Sequence, residues 1–387
     1  MMELTSGAIQ FANPSELSLL RAALLEGQPA AEAATSWRSQ LPDGEAQPGF
    51  PGLELPSRRL LPLVYWNVKT SVPPQLRDEL RLVHHEYWAE NLRRFQRLQE
   101  LLPWFEAIGV PTLVLKGMAI SVLHYRNMAL RPMSDIDILV PENRAPEVVG
   151  RLQHEGWTSV YYPPSASKAR YLYRHRHALA LAHPRYGALD LHWHALADAT
   201  FRGADRCFWN DSVPLAVNTI QTRALNPTDQ LMHACVHGFR ASRVPAIRWI
   251  ADAMIILRTS QMDWTRLVNL ARELHVTLPL GASLSFLRTT FPTPIPGQVI
   301  EELQAVAVDR AERRYFATLH HAMDWRGLLV YSIERHRRAN RHRNGILGIL
   351  SLPRQLQLYY KLPHLKNLGS LAFSRLGQRI RQRSGTW

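Results

Sequence analysis

The sequence is poor in cysteine, in long apolar runs and, toward its end, in acid. Two cysteines among 387 residues, Cys207 and Cys235, cannot build a disulfide framework. That excludes the small stapled scaffolds of secreted proteins and fits a reducing compartment. No stretch reaches the roughly 18 uncharged apolar residues of a membrane-spanning helix. The first 25 residues lack a basic segment followed by an apolar run, so no secretory signal is expected and a cytoplasmic location is. From Tyr331 onward the one acid is Glu334, against twelve basic residues, so this end carries +11 of the net charge of +14. The rest of the chain is close to neutral. Three fates are open for the basic tail: a solvated end, contact with the phosphates of a nucleic acid, or contact with an anionic membrane surface. An apolar fraction of 46% excludes a disordered chain, and the length suits two or three domains.

Hydrophobic spacing divides the chain. Residues 1–40 read as largely helical, and the Pro- and Gly-rich segment 41–62 reads as a loop. Residues 76–102 form an amphipathic helix that Pro103 is expected to stop. Residues 111–115 are an apolar strand, followed by a Lys116-Gly117 turn, a short helix over 118–125, and a basic loop with Arg131. A second strand opens at Asp135. A helix over 145–155 ends at Gly156, and 157–162 is a further strand. Residues 177–183 and 188–194 alternate around a Pro-Arg-Tyr-Gly turn and predict a hairpin. From about Asp198 the pattern reads as helical throughout, with helices over 229–239, 246–258, 264–274 and 299–323. Asn226 is placed to cap the first of these, with Pro227 at its first position.

The chemistry concentrates in 111–140. Residues two apart in a strand share a face, so Asp135 and Asp137 project together while Ile136 and Ile138 enter the core. Two carboxylates on one face repel unless a cation lies between them or one takes a proton. A hard divalent cation suits oxygen ligands, Mg²⁺ above all, with Mn²⁺ in the same role. In the hairpin's second strand Leu189, Leu191 and Trp193 share one face, and Asp190, His192 and His194 the other. Asp190 is a mid-strand carboxylate that needs a cation or a donor. On adjacent strands Asp135, Asp137 and Asp190 could form one cluster for in-line phosphoryl chemistry. Gly117 opens a helix whose free N–H groups can meet a phosphate, and Lys116 and Arg131 can pair with phosphate oxygens. His192 and His194 form an H-x-H that can bind Zn²⁺ or Fe, but facing the carboxylates they read as hydrogen-bonding or cleft-lining residues. His233 and His237 lie four apart, but Ala234 stands where a metalloprotease helix carries its glutamate, so they read as packed histidines. Asp252 is expected to pair with a base such as Arg248 or to line the cleft.

With these residues in place, the pattern LKG, RPMSDIDILV, LDLHW, HACVHGF and RWIADAMIIL resembles the uncharacterised bacterial nucleotidyltransferase group of the DNA-polymerase-beta superfamily, over about 60–270. The resemblance implies an α/β (α+β) fold: a polymerase-beta-like core with a small mixed sheet, flanked by N- and C-terminal helical regions. The expected organisation is an N-terminal helical region over 1–110, a nucleotidyltransferase core over 111–198, a helical domain over 199–330 and a basic tail over 331–387. It further implies Mg²⁺-dependent transfer of a nucleoside monophosphate from an NTP to an acceptor hydroxyl, with release of pyrophosphate. Asp135 and Asp137 would be the paired metal ligands and Asp190 the third. Lys116, Gly117 and Arg131 would hold the departing phosphates. The acceptor could be a small molecule, a peptide or protein, or a nucleic acid. One departure stands out: Met118 follows Gly117 where the superfamily usually carries a second glycine or a serine. The alternatives are an inactive nucleotidyltransferase fold that binds nucleotide or scaffolds a partner, and a metal-dependent phosphohydrolase.

Overall fold

The computed structural model describes residues 11–42, 49–50, 52–160, 173, 176–239, 247–319, 325–340 and 352–359. A mixed seven-stranded sheet carries the site, and helices cover both of its faces. Among the described residues five helices precede the first strand: α1 (Pro14–Leu24), α2 (Gly27–Ser39), α3 (Leu55–Arg58), α4 (Leu61–Val68) and α5 (Pro74–Ala107). Then come β1 (Leu113–Val114), α6 (Lys116–Ile120), a π-helical turn over Ser121–Tyr125, β2 (Ile136–Leu139) and α7 (Ala145–His154). The sheet is completed by β3 (Thr158–Ser159), β4 (Ala178–His183), β5 (Gly187–His192), β6 (Val213–Val217) and β7 (Ile220–Ala224), with α8 (Arg206–Asn210) between β5 and β6. Its order is β3-β4-β5-β2-β1-β7-β6. The β2–β5 and β1–β7 pairs are parallel and the others antiparallel. The remaining helices are α9 (Pro227–Gly238), α10 (Arg248–Thr259), α11 (Trp264–Glu273), α12 (Thr277–Thr290), α13 (Gly297–Ala305), α14 (Arg310–Leu319), α15 (Trp325–Ala339) and α16 (Leu352–Tyr359).

Strand alternation sorts side chains into two cores. Val114, Ile136, Ile138, Leu189 and Leu191 pack with the second half of α5 and with α7. Leu113 and Leu139, from the opposite face, join a larger core with α1, α4, α9, α10 and α12. Asp137, Asp190 and His192 belong to this second face by strand parity, so the polar cluster points toward the helical layer. Among the described residues no helix is long and apolar enough to cross a membrane.

Several expectations are corrected. The region after Asp198 is not helical throughout, because β6 and β7 form a hairpin that joins the sheet beside β1. Asn218 (φ 52°) makes its tight turn without glycine, and each strand is only five residues long, so the signal is weak. Pro103 does not stop α5, which runs four residues further. Proline removes one helical hydrogen bond, and burial of Leu101, Leu102 and Phe105 around it offsets that loss. The single helix expected over 299–323 is two, α13 and α14, with Asp309 accepting from the Glu312 N–H at 2.8 Å as the second one starts. The supposed loop at 41–62 contains α3, with Pro56 in its first turn, and the start of α4, with Pro62 in its own. The helical reading of the N-terminus resolves into two helices separated at Gly27 (φ 62°).

The basic end is partly incorporated into the fold. Arg338 of α15 donates to the carbonyls of Leu274 (3.2 Å) and His275 (2.6 Å) beyond α11, and lies over the Tyr315 ring. Arg337 pairs with Glu334 at 2.5 Å, and Arg335 approaches His177 at 3.4 Å. Arg341, Arg343, Lys361, Lys366, Arg375, Arg379, Arg381 and Arg383 lie outside the described residues, as do 1–10 and 161–162.

Candidate active site

The parallel pairing of β2 with β5 sets Asp137 directly opposite Asp190. Two residues on, His192 leans back between them. Its Nε2 lies 3.0 Å from Asp137 Oδ1 and 3.1 Å from Asp190 Oδ2. The Lys116 ammonium enters from the end of β1, 2.5 Å from Asp137 Oδ1, 3.3 Å from His192 Nε2 and 3.7 Å from Asp190 Oδ2. Lys116 has a left-handed backbone (φ 45°), which is uncommon for a side chain of this kind and arises where the chain turns from strand to helix.

Charge compensation explains the tight cluster. Burial opposes ionisation of Asp137, but the Lys116 ammonium and His192 outweigh it and hold the carboxyl well below the usual range. Burial likewise acts on Asp190, and His192 and Lys116 again win, so its pKa falls. His192 is fully buried. Burial and Lys116 push its pKa down, and the two carboxylates push it up by more. Its Nδ1 faces the His194 carbonyl at 3.4 Å, so every near neighbour of the ring nitrogens except Lys116 is an acceptor.

Asp135 stands apart from this core. It precedes β2, is half-buried, and accepts from Ser134 Oγ at 3.0 Å. Burial raises its pKa, and the nearby Asp137 raises it further. Among the described residues, those whose ligand atoms converge within 4.8 Å are Asp137, Asp190 and His192. The two carboxylate oxygens suit a hard divalent cation and so fit the expected metal, with Asp135 at its flank and His192 able to join them in its neutral form.

Arg131 is placed differently from a free phosphate ligand. It is 4% exposed and donates through Nε (2.8 Å) and Nη2 (2.7 Å) to the two oxygens of Asp252 on α10. Burial opposes its charge, and the Asp252 carboxylate more than restores it. The partner of Asp252 is therefore Arg131, 121 residues away, and not Arg248 on the same helix. The Tyr125 hydroxyl also donates to Asp252, at 3.0 Å. Asn91 of α5 donates to the carbonyls of Met128 (2.5 Å) and Arg131 (2.9 Å), and Arg248 to that of Pro132 (2.8 Å). The loop between the π-turn and β2 is thus clamped from both helical regions. Gly117 lies beneath it. A methyl group there would come within 2.7 Å of the Met133 side chain and also strike the Arg131 guanidinium. Its role is close approach as much as chain turning.

His194 pairs with Asp205 at 2.6 Å and leaves the cluster to His192. His233 contacts the Ala195 carbonyl at 3.1 Å and stacks on His237, and both histidines border a cleft of about 130 Å³ beside Lys116. Arg59 and Arg248 border the same cleft. Sequence reasoning missed their convergence, since Arg59 comes from a proline-rich segment with no periodic signal. The H-x-H on the polar face of β5 did carry the signal for His192.

A family model described as an uncharacterised nucleotidyltransferase matches residues 56–292. Among solved structures, that of a lincosamide antibiotic adenylyltransferase, LnuA, with lincomycin bound, is similar at 19% identity and a TM-score of 0.30, covering 43% of this chain and 97% of that one. No curated protein sequence matches the chain.

Proposed function

Since the chain belongs to the uncharacterised nucleotidyltransferase family, we propose that it transfers a nucleoside monophosphate from an NTP such as ATP to an acceptor hydroxyl, with loss of pyrophosphate and in the presence of Mg²⁺ or Mn²⁺. The observation that carries this reading is the register of β2 on β5, which brings Asp137, Asp190 and His192 together at the end of Lys116. Asp137, Asp190 and His192 would hold the divalent cation, with Asp135 beside them. When bound, that cation supplies positive charge to the donor's phosphates and polarises them. Asp190, the more exposed of the two central carboxylates, orients the acceptor hydroxyl and receives its proton as the oxygen attacks the α-phosphorus. Lys116 borders both the carboxylates and the cleft. It can leave the carboxylates for the departing phosphates, as a point charge on a flexible stem. The Arg131–Asp252 pair, with Gly117 below it, fixes the loop that leads into Asp135 and Asp137.

The test is transfer of label from α-labelled NTPs to acceptor pools, with Mg²⁺ and with EDTA. Wild type should form labelled product only with the metal, and Asp137→Ala should lose at least a hundredfold in rate. Unchanged transfer by Asp137→Ala would sink the mechanism. One observation favours a second reading: Lys116 and His192 already balance the two carboxylates, as they would in a protein that binds nucleotide without turnover. Calorimetric NTP binding that is indifferent to Mg²⁺ and yields no product would select it.

A further inference from the structure

The cleft beside Lys116 carries more positive charge than the fold neutralises. Among the described residues, Arg59, Lys116, Arg131 and Arg248 line it against one carboxylate, Asp252. Lys116 is paired with Asp137 and Asp190, and Arg131 with Asp252. The Arg59 side chain makes no hydrogen bond or ion pair among the described residues, and its Nε is buried without a partner. Arg248 uses one donor on the Pro132 carbonyl and has no ion pair among the described residues. Burial and the neighbouring Arg131 push Arg248 down to about 10, and burial pushes Arg59 down as well. Lys116 lines the cleft and reaches Asp137 and Asp190, so the cleft adjoins the carboxylates. Guanidinium groups kept together at such a cost, with donors unsatisfied, define a site for a multiply charged oxyanion.

We infer that Arg59, from the N-terminal helical region, and Arg248, from α10, form the anion subsite that holds the β- and γ-phosphates of the donor. The inference rests on the nucleotidyltransferase reading for the identity of the anion. It moves the phosphate-binding role from Arg131, which Asp252 neutralises, to two arginines outside the sheet. The N-terminal region then becomes part of the site, supplying one of its walls. Lys116 borders both the cleft and the carboxylates, so a phosphate chain seated between Arg59 and Arg248 has its reacting end at Asp137 and Asp190.

The experiment is calorimetric titration of the full chain with inorganic tripolyphosphate at fixed ionic strength. Wild type should bind one equivalent. Arg59→Gln and Arg248→Gln should each bind at least tenfold more weakly, while Arg21→Gln, an exposed arginine on α1, should stay within twofold. Arg59→Gln removes no hydrogen bond of the fold, so it carries the test even where Arg248→Gln proves unstable. Absence of saturable binding by wild type, or equal binding by Arg59→Gln, overturns the subsite. The same variant in the transfer assay separates the two ideas. Arg59-dependent tripolyphosphate binding without any transfer removes the enzymatic reading and leaves the subsite. Metal-dependent transfer with an unchanged KM for NTP in Arg59→Gln does the reverse.

Discussion

Asp252→Ala should be among the most damaging single substitutions in this protein, although Asp252 touches none of the central carboxylates. The residue is 4% exposed and accepts three hydrogen bonds, two from the Arg131 guanidinium and one from the Tyr125 hydroxyl. Three independent bonds to a charge at about 1.5–3 kcal/mol each would set a ceiling of about 4.5–9 kcal/mol. They share one acceptor group and are not additive, and removing one member of a buried ion pair costs about 3–5 kcal/mol. Most of that arises from what remains: a buried Arg131 charge beside Arg59 and Arg248, with its hydrogen-bonded carboxylate gone. The double substitution Arg131→Met with Asp252→Leu removes both charges and keeps apolar volume. It should therefore recover most of the stability, leaving a deficit of about 1–2 kcal/mol for a Tyr125 hydroxyl without its acceptor. Urea unfolding followed by tryptophan fluorescence reads this directly, since Trp249 lies within one helical turn of Asp252. Tripolyphosphate should also stabilise Asp252→Ala more than wild type, because the cleft has lost its one negative charge. The reasoning fails if Asp252→Ala costs less than about 1 kcal/mol, or if the double variant is as unstable as the single one.

Two further outcomes follow from the same geometry. Gly117→Ala forces its new methyl against Met133 and the anchored Arg131, so a loss of about 1–3 kcal/mol is expected, together with slower transfer. Wild-type stability and rate in that variant would show that the loop yields freely. His124 is buried at the π-turn, with Nδ1 2.9 Å from Thr259 Oγ1, and burial pushes its pKa down to about 4. It is neutral in the fold and takes a proton in the unfolded chain below about 6.5, so its stabilisation is complete above that pH and is lost as pH falls from about 6.5 to about 4. The full shift corresponds to at most about 3 kcal/mol. Burial also pushes His84 down to about 4, so the test is the difference in pH slope between wild type and His124→Gln. Identical slopes would remove the assignment.

What could be read from the chain depended on how local the signal was. The alternation in β2 and β5 placed Asp137 and Asp190 on polar faces without knowledge of the partner strand. It also sent Leu189, Leu191 and Trp193 to the opposite core, where they lie. Gly156 (φ 89°) ends α7 and Asn226 caps α9, both set by chemistry within a few residues. The β6–β7 hairpin was missed because its stability comes from pairing with β1, about a hundred residues earlier in the chain. Pro103 misled for a similar reason. Its local penalty is real, but burial of the flanking α5 residues decides the outcome. The Arg131–Asp252 and Arg59–Arg248 relations join segments over a hundred residues apart. Nothing in either segment's own pattern announces the other.

This division bears on how the site works. The three aspartates stand on or beside neighbouring strands, where backbone pairing fixes the spacing of Asp137 and Asp190 to within one residue register. The cations come from everywhere else: Lys116 from a strained turn, Arg131 from a clamped loop, Arg59 and Arg248 from helical segments far apart in the chain. Strand-borne carboxylates define a fixed point for chemistry. Cations on independent elements can be moved apart or drawn together by an anion, at an electrostatic gain that grows as water leaves the cleft. A polyphosphate chain bound there would relieve the mutual repulsion of Arg59, Arg131 and Arg248. Through that coupling the helical regions contribute to the reaction without bearing any of its carboxylates.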